Sequence, residues 1–474
     1  MEFETVIGLE VHAQLKTRSK MFCGCKVSFG DEPNTSGCPV CLGLPGALPV
    51  LNRRAVEMAM RMGKAVDCTL ASKSIFARKN YFYPDLPKGY QISQYEFPLC
   101  ENGHVSIEVD GVQRDIRILR IHLEEDAGKL IHDQSEDSLF DVNRCGTPLI
   151  EIVSEPDIRS AQEAYSYLVS LKQILQYLDI CDCIMEEGSL RCDANVSLRP
   201  KGETRLGTKT ELKNMNTFRG VEKALESEVL RQKGILETGR AIEQQTFLWD
   251  PRNNRTVAMR SKEEAHDYRY FPDPDLVPLI VDSQWIDRVT GTLPELPADR
   301  KVRFMQTFDL SEEHAAVLVD TREVADYFEE VVRCCNDPKA AANWVMGETM
   351  RISKEKRIRI NELKLTPARL GTLLGCIREG TVSARAAKKV VDEIEKQDRA
   401  PQELIDQMGL RQISDTGELQ KIVDDIISKS PDEVRRYKDG EKKLRGYFVG
   451  QVMKATKGKG NPGEINKLID QRLA

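Results

Sequence analysis

The sequence predicts an α+β protein, an antiparallel sheet with one apolar and one chemically active face followed by helical units. Three observations carry this. Several segments alternate apolar and polar residues with period 2, as strands buried on one side do. Beyond about Thr292 the apolar residues recur at helical spacing instead. A stretch punctuated by Pro274, Pro278, Pro294 and Pro297 separates the two regimes.

The first strand is read in residues 7–15, where Leu9, Val11, Ala13 and Leu15 fill one face and Glu10, His12 and Gln14 the other. Residues 117–126 alternate into an acidic end at Glu124, Glu125 and Asp126. Residues 188–198 are the most telling. Cys192, Ala194, Val196 and Leu198 share a face, and Arg191, Asp193, Asn195 and Ser197 the opposite one. In residues 208–214, Lys209, Glu211 and Lys213 alternate. A merely solvated face usually carries Lys, Glu and Thr. Short oxygen-bearing side chains with an arginine suit a metal, a phosphate or a polar substrate. Each row alone also reads as a wet sheet face; four in one chain point to a shared chemical face.

The helical region shows Val317, Val324, Tyr327, Phe328, Val331 and Val332 at helical spacings, broken by Pro338 and Pro367. A third unit is expected from about Ala400, with Leu404, Met408, Leu410 and Ile413 packing one stretch. Leu419, Ile422, Val423, Ile426 and Ile427 mark an amphipathic helix in it. The expected domains are 1–293, 294–400 and 401–474. From Lys438 to the end, nine Lys/Arg face four Asp/Glu, a local charge of +5. Lys442, Lys443, Arg445, Lys454, Lys457 and Lys459, interleaved with Tyr447, Phe448 and glycines, suit a nucleic-acid backbone. A solvated surface helix is the alternative.

With 474 residues the chain is too long for one ordinary core. Charged residues are 30% and the net charge is −6, so any polyanion site must be a local basic cluster. No apolar run is long enough to span a bilayer. The N-terminus lacks a basic and apolar export signal, so a cytoplasmic location is expected. The thirteen cysteines do not resemble a disulfide scaffold. Cys23-x-Cys25 and Cys38-x-x-Cys41 sit in Gly/Pro turns with the pairing expected of a closed, structural Zn2+ site; four reduced thiols are the alternative. Cys181 and Cys183 form another Cys-x-Cys without a second pair nearby. Cys68, Cys100, Cys145, Cys192, Cys334, Cys335 and Cys376 read as core or isolated thiols.

Seven blocks occur in order: Gly8-Leu-Glu-Val-His12; residues 77–94, opening Ala-Arg-Lys-Asn-Tyr-Phe-Tyr-Pro-Asp; Leu123-Glu-Glu-Asp-Ala-Gly-Lys129; Asp141-Val-Asn-Arg-Cys-Gly-Thr-Pro-Leu-Ile-Glu151; Glu186-Glu-Gly-Ser-Leu-Arg-Cys-Asp-Ala-Asn195; Leu212-Lys-Asn-Met-Asn216; and Tyr268-Arg-Tyr-Phe-Pro-Asp-Pro-Asp275. Together they resemble the GatB family of glutamyl/aspartyl-tRNA amidotransferase subunits, over essentially the whole chain. The resemblance implies an antiparallel cradle, a helical domain and a small helical tail similar to YqeY proteins.

It also implies a kinase-like amidation. Glu-tRNA(Gln), Asp-tRNA(Asn) or both would have the side-chain carboxylate phosphorylated with ATP, and ammonia would displace the phosphate. Phosphorylation supplies the leaving group that a carboxylate lacks, and Mg2+ and cationic side chains offset the moving charge. Glu10, His12, Glu124 and Glu125 resemble the family's Mg2+ cluster, with Glu10, His12 and Glu125 the expected catalytic residues. Histidine is unusual for Mg2+, so Mn2+ can substitute, or His12 positions a water. Arg191, Asp193, Asn195, Ser197, Glu211 and Lys213 suit ATP and the acyl phosphate as a group. Lys79, Tyr81 and Lys88 lie in a Pro/Gly-rich loop that either closes over substrate or is a plain surface loop. There is no P-loop and no Gly-x-Ser-x-Gly elbow, so phosphate binding is of another kind and ammonia must come from elsewhere. The resemblance names as that source an amidase-type glutaminase A subunit, with a small C subunit bracing both. Lys88, Glu125 and Thr147 are expected along an ammonia path. Two rivals remain: a non-catalytic tRNA-binding protein, which would not need the Glu10/His12/Glu124/Glu125 set, and a metal-dependent hydrolase, which would not need ATP.

Overall fold

The computed structural model describes residues 2–131, 137–259, 268–412, 416–456 and 458–473. Ile413 and Lys457 lie outside the described residues. The chain divides into two compact units, Met1–Leu296 and Pro297–Ala474.

The strands of the first unit are, in chain order, β1 (Phe3–Gln14), β2 (Thr69–Leu70), β3 (Lys73–Ser74), β4 (Ala77–Asn80), β5 (Tyr90–Ser93), β6 (Cys100–Val109), β7 (Val112–Glu125), β8 (Lys129–Ile131), β9 (Leu139–Asp141), β10 (Pro148–Ser154), β11 (Leu190–Pro200), β12 (Thr210–Met215), β13 (Thr246–Asp250), β14 (Arg255–Ala258), β15 (Phe271–Pro272) and β16 (Leu279–Ile280). Its helices are α1 (Arg53–Ala65), α2 (Ala161–Tyr177), α3 (Phe218–Glu237) and α4 (Ser283–Thr290). One large sheet runs β14-β13-β12-β11-β1-β10-β7-β6-β2. The period-2 rows become its two faces. Ile7, Leu9, Val11 and Ala13 of β1, Ile150 and Ile152 of β10, and Ala194 and Val196 of β11 enter one core, against which α1, α2 and α3 pack. The residues between them face the other way.

The sheet departs from the antiparallel expectation at one place, since β12 and β13 are parallel. The cause lies in the chain between them. Parallel neighbours need a long crossover, and α3, capped by Thr217, supplies it. β12 begins at Thr210, which leaves Lys209 outside the strand.

The second unit is helical, with α5 (Pro297–Phe308), α6 (Glu312–Leu318), α7 (Arg322–Cys335), α8 (Pro338–Trp344), α9 (Met350–Lys356), α10 (Pro367–Arg378), α11 (Ala384–Gln397), α12 (Pro401–Gln407), α13 (Thr416–Ser428), α14 (Pro431–Lys438), α15 (Leu444–Ala455) and α16 (Pro462–Leu473). Pro338 and Pro367 each occupy the first turn of a helix, where the missing N–H costs nothing. The unit holds two cores. The first includes Phe304, Tyr327, Phe328 and Val331, and runs on to Leu404 and Ile405 of α12, with Leu410 packed against it. The second gathers Leu419, Val423, Phe448, Val452, Ile465, Leu468, Ile469 and Leu473. The seam between cores thus falls between Leu410 and Leu419, later than the expected 400, because Leu404 and Ile405 are buried with the preceding helices.

Candidate functional site

Strand β1 is the axis of the polar face. The register sets Glu10 opposite Asp193, and His12 opposite both Arg191 and Glu151. Glu151 in turn faces His122 on β7. His12, Glu151 and His122 therefore form a line across three strands. The His12 Nε2 lies 3.3 Å from Glu151 Oε2 and 3.5 Å from Glu124 Oε1, and His122 Nε2 lies 3.4 Å from the same Glu151 oxygen. The donor atoms of His12, Glu124 and Glu151 all lie within 4.8 Å of one another. Burial lowers the proton affinity of His12, but the hydrogen bond to Glu151 and the Glu124 charge outweigh it and lift the imidazole to about 9. Glu151 sits far below the usual carboxylate range, its burial overcome by His122 and His12.

This trio differs from the set expected from sequence. Glu124 and Glu125 are neighbours in an extended strand and so point to opposite faces. Glu124 meets the trio and accepts from Ser93 Oγ at 3.4 Å. Glu125 points away from it, pairs with Lys88 and accepts the Ile92 N–H at 3.0 Å. Glu10 accepts from Asn195 Nδ2 at 3.0 Å, and burial together with Glu151, Asp193 and Glu211 raises its proton affinity. Glu10 is thus an acid beside the trio, and Glu125 a partner of Lys88. Glu151 is the candidate donor that sequence reasoning missed. Its signal was a lone carboxylate in the otherwise apolar run Pro-Leu-Ile-Glu-Ile-Val of β10.

The expected ATP residues adjoin this centre. Lys213 bridges Asp193 at 2.8 Å and Glu211 at 3.0 Å, and Asn195 lies opposite Glu211. Arg191 holds Asp126 at 3.0 Å, and Gln14 holds the other oxygen of Asp126 at 2.8 Å. Ser197 lies further along β11, buried opposite Val6. Lys79 on β4 stands near Glu124 and Glu151. Burial opposes its charge, but those carboxylates hold its pKa above the ordinary value. Its ammonium lies 4.8 Å from the Tyr268 ring, which also meets Tyr81 edge-on. Where β1 and β12 end and β11 begins, a cleft of about 890 Å³ opens, lined in part by Thr147, Glu186, Arg191, Asp193 and Asn216. That is ample for a nucleotide-sized ligand.

The residues fit the groups the sequence suggests. An octahedral Mg2+ at its usual oxygen distance needs adjacent donors about 3 Å apart, close to the spacing of the trio. The four cysteine sulfurs also lie within 4.8 Å of one another, with Cys23–Cys41 at 3.4 Å and Cys38–Cys41 at 3.6 Å. A tetrahedral zinc would set them about 3.8 Å apart. The Cys41 thiol is drawn down to about 4, because the adjacent Cys23 thiol and the Lys20 charge outweigh its burial. This cluster can hold a structural metal.

In the tail, Lys442, Lys443, Lys454 and Lys459 are exposed. They fall at the two ends of α15 rather than in one row. Arg445 is engaged by both oxygens of Asp470 at 2.7 Å, and Phe448 is buried in the tail core, leaving Tyr447 as the exposed ring. Among the described residues no helix is long and apolar enough to cross a membrane.

Two family models match the chain, the GatB/GatE catalytic domain over residues 5–287 and the GatB domain over residues 326–473. The chain belongs to the GatB/GatE family. It is 54% identical to the B subunit of the aspartyl/glutamyl-tRNA(Asn/Gln) amidotransferase of Prosthecochloris aestuarii, covering 100% of this chain and 98% of that protein. It is 56% identical to the protein of the same name from Chlorobium phaeobacteroides (strain BS1), and 54% identical to that from Geobacter sulfurreducens, each over 100% of both chains. The GatB/GatE catalytic match spans the whole polar face described above.

Proposed function

We propose that this chain is the activating component of a tRNA-dependent amidotransferase. It would phosphorylate the side-chain carboxylate of Glu-tRNA(Gln), Asp-tRNA(Asn) or both with ATP, then let ammonia displace the phosphate. The observation that carries this reading is the His12/Glu124/Glu151 donor set beside fixed cations. A bound Mg2+ would supply charge neutralisation for the transferring phosphoryl group.

The chain's own residues supply position. His12, Glu124 and Glu151 would hold the ion, with Glu10 as an acid beside them. Arg191, Lys213 and Lys79 are fixed by carboxylates and rings, so they can face a phosphate without being reorganised. Asp193, Asn195, Ser197 and Glu211 would orient the nucleotide, and Tyr81 would help Lys79 line the substrate side. Lys88, Glu125 and Thr147 would border the passage for ammonia from an amidase-type glutaminase partner, with a small third partner bracing both. Cys23, Cys25, Cys38 and Cys41 would bind one structural Zn2+. Residues 1–296 would form the catalytic unit. The tail beyond Leu410 would hold tRNA through Lys442, Lys443, Lys454 and Lys459, with Arg445 set aside by its ion pair and Lys457 beyond the described residues.

The test is to incubate the purified complex with misacylated tRNA, ATP, Mg2+ and ammonium, and to identify the amino acid on the tRNA. Amide formed only with ATP is expected. Amide without ATP, or ATP present and no amide, overturns the reading.

A further inference from the structure

We infer that Lys20 is the charge partner of the four-cysteine zinc site, so that its ammonium helps to set how firmly the metal is held. The inference rests on reading that cluster as a zinc site. Lys20 is completely buried. An ammonium has three protons to place, and three acceptors surround it: Ser36 O at 2.6 Å, Val142 O at 3.3 Å and Cys41 Sγ at 3.6 Å. Two of these are neutral carbonyls. Among the three, only a Cys41 thiolate brings a negative charge.

Burying an ammonium away from water is strongly disfavoured unless it is paired. The converse holds for the cluster. Four thiolates around one Zn2+ leave it doubly negative, and one buried ammonium cancels half of that excess. Each group thus supplies what the other lacks. The chain path enforces the pairing, because the Lys20 N–H donates to Cys25 O at 2.9 Å and so closes the knuckle from which its side chain runs to Cys41. The side-chain stem lies over Gly146, whose φ of +77° favours glycine. Lys20 therefore also ties the knuckle to the turn that precedes Thr147.

The experiment is zinc release from the full-length chain to excess chromogenic chelator, comparing wild type, Lys20→Gln and Lys20→Met. Glutamine keeps an N–H donor for the carbonyls and removes the charge. Both variants are expected to release zinc roughly tenfold faster or more, the size of effect seen when a partner of a metal ligand is lost, with unchanged circular dichroism. Folded Lys20→Gln releasing zinc at the wild-type rate overturns the proposal. If neither variant folds, the wild type decides. An amine-reactive ester followed by peptide mass mapping is expected to spare Lys20 while zinc is bound and to modify it once zinc is stripped. Lys20 equally inert in both states overturns the proposal. Metal analysis of the wild type comes first: absence of zinc there overturns the zinc reading and this proposal with it, whereas zinc present but released at the wild-type rate from folded Lys20→Gln overturns the role of Lys20 alone.

Discussion

Glu151→Gln tests the site most directly. The substitution keeps volume and one carbonyl oxygen but removes a full negative charge. Glu151 is one of three donors within 4.8 Å, and its Oε2 is shared between His12 at 3.3 Å and His122 at 3.4 Å. Losing a residue that merely supports a metal ligand costs ~10–100-fold in affinity, or about 1.4–2.7 kcal/mol. Losing a charged ligand belongs at the upper end, so Mn2+ affinity is expected to fall about 100-fold. The assay is titration of zinc-loaded protein with Mn2+, following free Mn2+ by electron paramagnetic resonance, with ammonium-dependent amidation measured alongside. Both are expected to fall while the melting temperature stays near wild type in the presence of zinc. Mn2+ affinity within about twofold of wild type would show that the trio is not the metal site, whatever happens to activity.

The same titration separates the two adjacent glutamates: Glu124→Gln is expected to weaken Mn2+ binding, and Glu125→Gln to leave it unchanged. Equal losses in both would refute the assignment of opposite faces. Cys38→Ser is expected to abolish zinc in metal analysis and to lower the melting temperature more than the turnover of the folded enzyme, because a four-thiolate site has no open position. Phe448→Ala removes the largest side chain of the small tail core, at a cost of ~3–5 kcal/mol; proteolysis is expected to trim the tail while residues 1–296 resist, and unchanged tail protection in hydrogen exchange would contradict this. A chain ending at Gln412 is expected to bind tRNA weakly and with a shallower salt dependence, since phosphate contacts release counterions; an unchanged apparent tRNA affinity would leave the tail a solvated helical bundle. In the helical unit, burial raises the Glu329 pKa but Arg303 and Arg300 outweigh it and hold it low. Its stabilisation is therefore present at neutral pH and lost as pH falls below about 4.3, so the melting temperatures of wild type and Glu329→Gln are expected to converge on acidification. A constant gap from neutral to acid pH would refute that.

Much of the molecule is legible in local pattern. Alternation in residues 7–15 and 188–198 states which side chains share a face, because a strand has period 2 whatever it pairs with. The cysteine spacing states which thiols can close on one metal, and the proline-rich break marks the change of architecture. The parallel β12/β13 pair was readable too, had the helix between those strands been taken as a crossover. What the sequence by itself could not decide is which rows become neighbours. His12 and Glu151 lie far apart along the chain and meet only because β1 pairs with β10 in one register; a slip of one residue would send Glu151 to the apolar face. Glu124 and Glu125 look interchangeable as an acidic run, and the sheet separates them into a candidate metal ligand and a partner of Lys88. Phe448 reads as a ring for stacking on nucleic acid until helix packing buries it. Lys20 gives no sequence signal at all: a lysine near a turn is ordinarily solvated, and only the closure of the knuckle over its side chain leaves its ammonium among two carbonyls and a cysteine sulfur. Local pattern fixes the orientation of each side chain on its own element, whereas charge partners depend on long-range register and burial, which only the tertiary structure decides.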